Sequence, residues 1–268
     1  MTRKIGFIGC GNMAMAMIGG IVRSRFASGN EIIASNRTRE NLEKMQQAFK
    51  IEITQDNKMV AQQSDFLFLS VKPEVYETVI EEIKDIIKED SIIIMIAGGQ
   101  TIARNELRFG RKVKLVRAMP NTPILVGEGM TAFSVNSEIT EKEKDELISL
   151  FEAFGRTELV EESMIDAVSG VSGSSPAYAF LFIEALADGA VLHGLPRKQA
   201  YMLASQALLG AAKMVLETGM HPGELKDHVC SPGGSTIKAV AALEENGFRS
   251  AVIKGLGAAI SKAKKMDE

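Results

Sequence analysis

Apolar residues in the first part of this 268-residue chain form short, dense runs separated by helical patterns. Runs rich in Ile, Leu and Val cover residues 4–9, 31–35, 66–71, 91–97 and 113–117. Such runs are typical of parallel strands that are covered on both faces, because no polar alternation remains. The alternation of strands and helices therefore predicts an α/β fold with a doubly wound, mostly parallel sheet of the Rossmann type.

The pattern changes after residue 123. Strands are predicted at 130–135 and 157–160, and a helix at 140–153, with Thr140 as N-cap and Glu143 completing a capping box. From about residue 163 every pattern is helical, at 175–192, 196–217, 222–229, 235–245 and 248–264. We therefore predict a dinucleotide-binding domain at residues 1–162 and an all-helical domain at residues 163–268.

The predicted helix 175–192 is apolar on nearly every side. A helix of this kind must be buried, and the few helices of the second domain cannot easily enclose it. We expect a homodimer through the C-terminal helices, since symmetric dimers are common among soluble proteins. The alternative is a compact monomeric bundle packed on the first domain.

The first predicted strand leads into Gly9-Cys10-Gly11-Asn12-Met13-Ala14, a G-x-G-x-x-A turn before a helical pattern. In this motif the first glycine makes a tight turn, and the second lets a pyrophosphate approach the backbone. The small third residue allows the helix to pack closely on the strand. The strand–turn–helix context predicts a dinucleotide site.

The second predicted strand ends in Ser35-Asn36-Arg37. NAD-binding folds usually place an acidic residue here, which holds the ribose 2′-hydroxyl. Where the acid is missing a 2′-phosphate is accepted, and Arg37 can pair with it. We expect NADP(H) to be preferred to NAD(H), without excluding NAD(H). The alternative for Arg37 is a solvated charge before a helix.

Three further strand ends, at residues 70–73, 97–100 and 119–123, are rich in small residues, polar residues and Pro. Ligands of doubly wound sheets bind beyond the carboxyl ends of the strands, so these residues are candidates for the wall of a cofactor crevice. Ordinary turns use the same residue types.

Residues 231–236 read Ser-Pro-Gly-Gly-Ser-Thr and lead into the helical pattern 235–245. The unpaired N–H groups and the dipole of a helix N-terminus can hold an anion, and glycines let it come close. The alternative is an ordinary turn in which Ser235 caps the helix and Asn246-Gly247 ends it.

Composition narrows the class of protein. A net charge of −3 gives no electrostatic footprint for nucleic acid or an anionic membrane. The longest apolar stretches carry Gly, Glu or Asp and are not expected to span a membrane. No signal-peptide pattern is present, and Cys10 and Cys230 are expected to be reduced thiols, so the expected location is cytoplasmic. No metal site is predicted, and His193, His221 and His228 are interpreted as capping or surface residues.

The chain resembles the pyrroline-5-carboxylate reductase family in motifs that follow one another over essentially its whole length. These motifs are the glycine turn, 70–73, 119–123, 173–180, 221–227 and 231–236, with Gly-Phe-Arg at 247–249 as a further specific mark. The resemblance implies reduction of 1-pyrroline-5-carboxylate to L-proline with NAD(P)H, the last step of proline biosynthesis. It also implies an interlocked homodimer, sometimes assembled further.

The resemblance also implies a set of site residues. The cofactor would lie on Gly6, Phe7, Ile8, Gly9, Cys10, Gly11, Asn12, Met13, Ser35, Asn36, Arg37, Asn57, Val71, Lys72, Pro73, Ala97 and Gly98, with Met119, Pro120 and Asn121 near the nicotinamide. The substrate carboxylate would be held by Ser231, Gly233, Gly234, Ser235 and Thr236. The chain departs from the family at two positions. Relatives often have Gly or Ala where this chain has Cys10, and some relatives carry a polar side chain that touches product where this chain has Gly219.

Thr236 is the catalytic candidate, because the resemblance places its hydroxyl at the ring nitrogen of the substrate. A hydroxyl is a poor acid by itself, so we expect Thr236 to position a substrate that binds already protonated, with proton delivery through water.

Two other functions are alternatives. A β-hydroxyacid dehydrogenase or related imine reductase would share the architecture. The dehydrogenases typically carry a catalytic Lys where this chain has Ala179, and this chain has no Lys between Arg156 and Lys198. A non-catalytic NADP-sensing protein would keep the glycine turn but would not need the loop at 231–236.

Overall fold

The computed structural model describes residues 3–267. Within that range a single sheet of eight strands has the order β3-β2-β1-β4-β5-β6-β7-β8. The strands are β1 Ile5–Ile8, β2 Ile32–Ser35, β3 Glu52–Thr54, β4 Phe66–Leu69, β5 Ile92–Met95, β6 Lys114–Met119, β7 Gly129–Val135 and β8 Gly155–Leu159. All the predicted strands are confirmed, with ends that differ by a few residues, and β3 was not predicted.

The sheet is mostly parallel, as predicted. Strands β1 to β6 are parallel to one another, β7 is antiparallel to β6, and β8 is parallel to β7. Strand β1 lies between β2 and β4, with Ile5 opposite both Ile32 and Phe66. The direction of chain progression reverses at β1, and a doubly wound sheet binds its ligand at such a point.

Helices cover both faces of the sheet. They are α1 Asn12–Arg23, α2 Arg39–Phe49, α3 Asn57–Gln63, α4 Tyr76–Ile83, α5 Ile102–Phe109 and α6 Glu141–Glu152. Successive strand side chains point to opposite faces, so Phe7 joins the core under α1, α2 and α6, whereas Ile8 joins the core under α3, α4 and α5. The two apolar cores fix the positions of the strand ends.

Thr140 is the N-cap of α6, and the predicted capping box is confirmed. The Glu143 N–H donates to Thr140 Oγ1 at 3.3 Å, and the Thr140 N–H donates to Glu143 Oε2 at 3.0 Å. Glu143 Oε1 also accepts from Lys114 Nζ at 2.7 Å. The capping box is thereby tied to the first residue of β6.

Within the described residues, the regular elements after β8 are all helical, as predicted. They are α7 Ile165–Val168, a π-turn at Ser169–Gly173, α8 Ser175–Leu192, α9 Arg197–Thr218, α10 Pro222–Val229, α11 Ser235–Glu245 and α12 Phe248–Asp267. The chain divides into two compact units, and Ser175–Ala258 forms the second. The first unit holds the sheet, the segment up to Ser174 and the end of α12 from Ala259. The domain boundary at residue 162 stays a prediction, and this division lies later in the chain.

Helix α8 leaves its apolar side chains uncovered in the single chain. Ala187 is its only buried residue, and Phe180 and Leu181 are 65% and 67% exposed. One helical stretch in the described range, Glu162–Leu192, is long and apolar enough to cross a membrane by length and composition, and 6% of its apolar 18-residue window is buried. Length and composition do not decide whether such a helix enters a membrane, so the expectation that the apolar stretches do not span one stays a prediction.

Candidate active site

The glycine turn lies at the carboxyl end of β1. Gly9 has a φ of +100°, and a Cβ there would lie 2.6 Å from the carbonyl oxygen of Ser70, so a larger residue would clash. Around Gly11 a Cβ would meet nothing within 4 Å. Gly11 is the N-cap of α1 and provides no side-chain cap. The first N–H groups of α1 therefore face an open space that suits a pyrophosphate.

The residues just before the turn lie inside β1. A Cβ on Gly6 would lie 1.8 Å from Ser64 Oγ, so glycine is needed here to let α3 pack on the strand. The ring of Phe7 stacks on Phe68, with centroids 4.5 Å apart, and Ile8 is buried. These three positions build the strand, and the open edge begins at Gly9.

The side chain of Cys10 points away from the turn. Its Sγ lies 3.4 Å from the carbonyl oxygen of Ser35, and burial raises the pKa of the thiol to about 12. Its backbone N–H donates to Asn36 Oδ1 at 3.2 Å. Only the backbone of Cys10 contributes to the turn, which fits a position that relatives often fill with Gly or Ala.

The end of β2 is held by a chain of hydrogen bonds. Ser35 Oγ donates to Asn57 Oδ1 at 2.7 Å, and Asn57 Nδ2 donates to Glu82 Oε2 at 2.8 Å. Arg37 lies just beyond, with an exposed side chain. Glu82 was not predicted as part of the site, because its partner is 25 residues away in sequence. The amide of Asn57 is thus oriented before any ligand binds.

Tyr76 joins the ends of β4 and β5. Its buried hydroxyl donates to the Leu69 carbonyl and accepts from the N–H groups of Ile96 and Ala97. Burial raises the pKa of this hydroxyl, so it stays protonated. The segments that follow these strands carry Val71, Lys72 and Pro73, and Ala97 and Gly98; of these, Lys72 is exposed. Tyr76 was not predicted, because it shows in the sequence only as an apolar helix position.

Two further residues at this edge of the sheet, Ser70 and Gly99, bear on ligand binding. Ser70 Oγ is buried and has no hydrogen-bond partner within the described part of the chain. Gly99, which follows Gly98, has a φ of +73°, and a Cβ there would lie 2.6 Å from the carbonyl oxygen of Met266. Gly99 lets the backbone pass close to Met266, and the unpartnered hydroxyl of Ser70 fits a polar ligand such as a dinucleotide.

The end of β6 presents Met119, Pro120 and Asn121. Asn121 is buried; its Nδ2 donates to the carbonyl of Ser172 at 3.0 Å, and its Oδ1 accepts from the Met130 N–H at 2.8 Å. Both ends of this amide are therefore used inside the protein. The part of Asn121 that remains for direct contact with a cofactor is its backbone.

The loop at residues 231–236 belongs to the second unit. The Gly234 N–H donates to the Ser231 carbonyl at 3.0 Å, and Gly233 has a φ of +71°. Gly234 is the N-cap of α11, so the alternative in which Ser235 caps the helix does not hold: the glycine turn begins the helix one residue earlier. No side chain caps α11, and its first N–H groups are open to an anion. Asn246 and Gly247 end the helix, as predicted.

The histidine assignments hold where the structure tests them. His221 is the N-cap of α10, and its Nδ1 accepts from the Gly223 N–H at 3.0 Å. Among the residues that the structure describes, no group of His, Cys, Asp and Glu side chains could hold a metal ion.

Comparisons with known proteins agree with this geometry. Residues 162–266 match the family described as pyrroline-5-carboxylate reductase dimerisation, and residues 4–99 match the family described as NADP oxidoreductase coenzyme F420-dependent. The pyrroline-5-carboxylate reductase of Escherichia coli is 46% identical over 268 residues, which cover 100% of both chains.

Solved structures are similar as well. A pyrroline-5-carboxylate reductase from Coxiella burnetii has a TM-score of 0.94 and 37% identity, with 100% of each chain covered. A pyrroline carboxylate reductase from Plasmodium falciparum, solved with NADP bound, has a TM-score of 0.90 and 31% identity, covering 99% of this chain and 98% of that one.

Proposed function

Because the chain belongs to the pyrroline-5-carboxylate reductase family, we propose that it reduces 1-pyrroline-5-carboxylate to L-proline, the last step of proline biosynthesis, with NADPH as the preferred hydride donor. The observation that carries this function is the full-length similarity to enzymes of that name, which includes both the glycine turn and the loop at 231–236. NADH remains a second donor in this proposal.

The residues at the sheet edge suit an NADP-type cofactor. The open cradle at Gly9–Met13 would take the pyrophosphate, and Arg37 would pair with the 2′-phosphate. Asn57, held by Glu82, would contact the adenosine half of the cofactor. The remaining length of the cofactor would be lined by Val71–Pro73, Ala97, Gly98 and Met119–Asn121. When bound, the reduced nicotinamide supplies a hydride to the imine carbon.

The loop at 231–236 would hold the substrate. Its carboxylate would accept hydrogen bonds from the uncapped N–H groups near Gly234, Ser235 and Thr236, which also carry the positive end of the helix dipole. The hydroxyl of Thr236 would hydrogen-bond the ring nitrogen and hold the protonated imine in place, because a protonated imine accepts hydride better than a neutral one. Thr236 positions the ring, and water brings the proton.

The dimerisation domain forms a homodimer, and we place α8 in its interface. A second copy of the chain would cover Phe180 and Leu181, which the single chain leaves exposed. On this basis the apolar stretch Glu162–Leu192 is covered by protein and does not enter a membrane. We also propose a cytoplasmic location and leave room for assembly of dimers into a higher oligomer.

Loss of NADPH absorbance in the presence of 1-pyrroline-5-carboxylate tests the function, and NADH in a parallel assay ranks the cofactors. Rapid turnover is expected; intact NADPH binding without turnover would contradict the proposal.

Thr236→Ala should lower kcat while NADPH affinity changes little, and Thr236→Ser should recover most of the rate. Thr218→Ala, at the end of α9, removes a hydroxyl bonded to the Met214 carbonyl and is the control. An unchanged kcat/KM in Thr236→Ala would remove Thr236 from the mechanism.

A further inference from the structure

Asn121 connects three separate stretches of backbone. It lies two residues after the end of β6, its Nδ2 donates to the carbonyl of Ser172 in the π-turn, and its Oδ1 accepts from the N–H of Met130 at the start of β7. The side chain is 7% exposed, so water does not compete for these bonds. A buried amide with both ends engaged fixes its neighbours more firmly than an apolar side chain would, because a shift leaves polar groups unpaired.

The carbonyl of Ser172 needs such a donor because of the sequence that follows it. In a regular α-helix this carbonyl would accept from the N–H of residue 176. Residue 176 is proline, which has no N–H. The helix is also irregular here, since the Ser174 N–H donates to the carbonyl of Ser169, five residues back. Asn121 supplies a hydrogen bond that Pro176 cannot.

The same bond brings the π-turn next to the residues at the end of β6. A Cβ built on Gly173 would lie 4.0 Å from Met119 Cγ, so the turn and Met119 are neighbours. Pro120, between Met119 and Asn121, is buried and restricts the backbone of this segment. The position of Asn121 therefore sets the position of Met119.

We propose that Asn121 is a positioning residue for hydride transfer, which holds Met119 and Pro120 against the π-turn through the carbonyl of Ser172. The inference rests on the proposed function, in which the nicotinamide lies against residues 119–121. The role of Asn121 is indirect, because its side-chain amide bonds to backbone groups only. In this proposal the backbone of residues 119–121 lies against the nicotinamide ring. A small displacement of this backbone changes the distance between the nicotinamide and the imine carbon that accepts the hydride.

The test is a double-mutant cycle between Asn121 and Pro176 in the full-length enzyme. Asn121→Ala should lower kcat by about 10-fold or more, since misplaced reactants lose rate steeply. The Kd of NADPH should change by less than about twofold, because the binding determinants of its other half lie elsewhere. Pro176→Ala returns an N–H for the Ser172 carbonyl but does not restore the link to residue 121, so the double variant should recover stability while kcat stays low. Pro176→Ala by itself should keep the wild-type rate.

Asn136→Ala is the matched control. Asn136 is also buried, and it accepts from the Leu115 N–H at 3.1 Å and donates to the Val113 carbonyl at 2.8 Å, at the opposite end of β6. Its loss should lower the Tm about as much as the loss of Asn121, with kcat preserved. Equal kcat values in Asn121→Ala and Asn136→Ala, or a wild-type kcat in the Asn121→Ala/Pro176→Ala double variant, would overturn the inference.

A second variant covers the case in which Asn121→Ala does not fold. Asn121→Asp keeps the acceptor for Met130 and removes the donor to Ser172, so kcat should fall here too, and a wild-type rate would refute the proposal. Amide hydrogen exchange over residues 169–174 gives a readout without turnover: it should be faster in both variants than in Asn136→Ala. Wild-type enzyme that fails to reduce the imine would instead count against the proposed function.

Discussion

The hydroxyl of Tyr76 donates to the carbonyl of Leu69 at 2.7 Å, across the gap between the ends of β4 and β5. The same oxygen accepts from the N–H groups of Ile96 and Ala97, at 3.2 and 3.3 Å. One side chain thus satisfies three backbone groups at the edge of the sheet where the cofactor segments begin. Both strand ends depend on a residue that does not face the cofactor.

Tyr76→Phe should lower both stability and cofactor affinity. The phenyl ring still fills the core, but the buried carbonyl of Leu69 and the half-buried N–H groups of Ile96 and Ala97 lose a partner, which costs about 2 kcal/mol or more in the free energy of unfolding. The Kd of NADPH should rise severalfold, because the segments after β4 and β5 are no longer held together. Urea unfolding and fluorescence titration measure the two effects. Tyr201→Phe, on α9, should change neither, and a normal NADPH affinity in Tyr76→Phe would contradict the role assigned to the hydroxyl.

Arg37→Glu should shift the cofactor preference toward NADH. The substitution removes the proposed partner of the 2′-phosphate and adds a repelling charge, so the NADPH:NADH ratio of kcat/KM should fall by at least about 30-fold. Steady-state kinetics with both cofactors provide the ratio. Arg39→Glu reverses a nearby exposed charge that pairs with Glu43 at 2.8 Å, and it should leave the ratio unchanged. An unmoved ratio in Arg37→Glu would show that the 2′-phosphate is bound elsewhere.

Leu181→Asp should dissociate the homodimer. The substitution puts a carboxylate on the apolar surface of α8 twice per dimer, so the loss should exceed about 3 kcal/mol, or more than about 100-fold in the dimer dissociation constant. Sedimentation velocity measures the change. Leu107→Asp is the control, since Leu107 is 84% exposed on α5 in the first unit. A dimer of unchanged strength in Leu181→Asp would remove α8 from the interface.

Glu143 should contribute to the loss of stability in acid. Burial by itself would raise the pKa of this carboxyl, but hydrogen bonds from Lys114 and Thr140 outweigh it and hold the pKa below its ordinary value of 4.5. The folded chain therefore binds the proton less readily than the unfolded chain. The stabilisation is complete above pH 4.5 and is lost as the pH falls through the lowered pKa.

Glu143→Gln removes this titration and should flatten the dependence of the unfolding free energy on pH below 4.5. Chemical denaturation at a series of pH values gives the slope. Glu138→Gln is the comparison, because Glu138 pairs with Lys112, which is 85% exposed. If the two variants had equal slopes, the buried pair would not be the source of the acid sensitivity.

Much of this fold can be predicted from the sequence because its signals are local. The apolar run 175–192 became a helix with those same ends, and Thr140 with Glu143 marked the start of α6 correctly. Strand β3 was missed because Glu52–Thr54 is short and half polar, which the edge of the sheet tolerates. The alternative that placed Ser235 at the N-cap of α11 failed because Gly233 and Gly234 form a turn that the usual preference for serine at the N-cap does not anticipate.

The parts of the candidate site that could not be predicted depend on contacts between distant residues. Glu82 reaches Asn57 from another helix, Tyr76 bridges two strands, and Asn121 spans 51 positions to Ser172. Asn57 and Asn121 were predicted as site residues, but no local motif indicates the contacts that hold them. Glycine turns and strand ends show where a ligand can approach, whereas the side chains that hold those turns in place are brought together only by the fold.

Arg117 on β6 limits how this enzyme can be recombined with its relatives. Its guanidinium is almost fully buried and pairs with Glu162 at 3.4 Å and Asp166 at 3.5 Å, and Glu162 also accepts from the Ile102 N–H. A chimera joined between Arg117 and Glu162 would take the arginine from one parent protein. It would then need the other parent to carry acidic residues at positions 162 and 166. A crossover placed after Ser174 keeps the whole charge cluster from a single ancestor, so that is where helices from another species should be grafted.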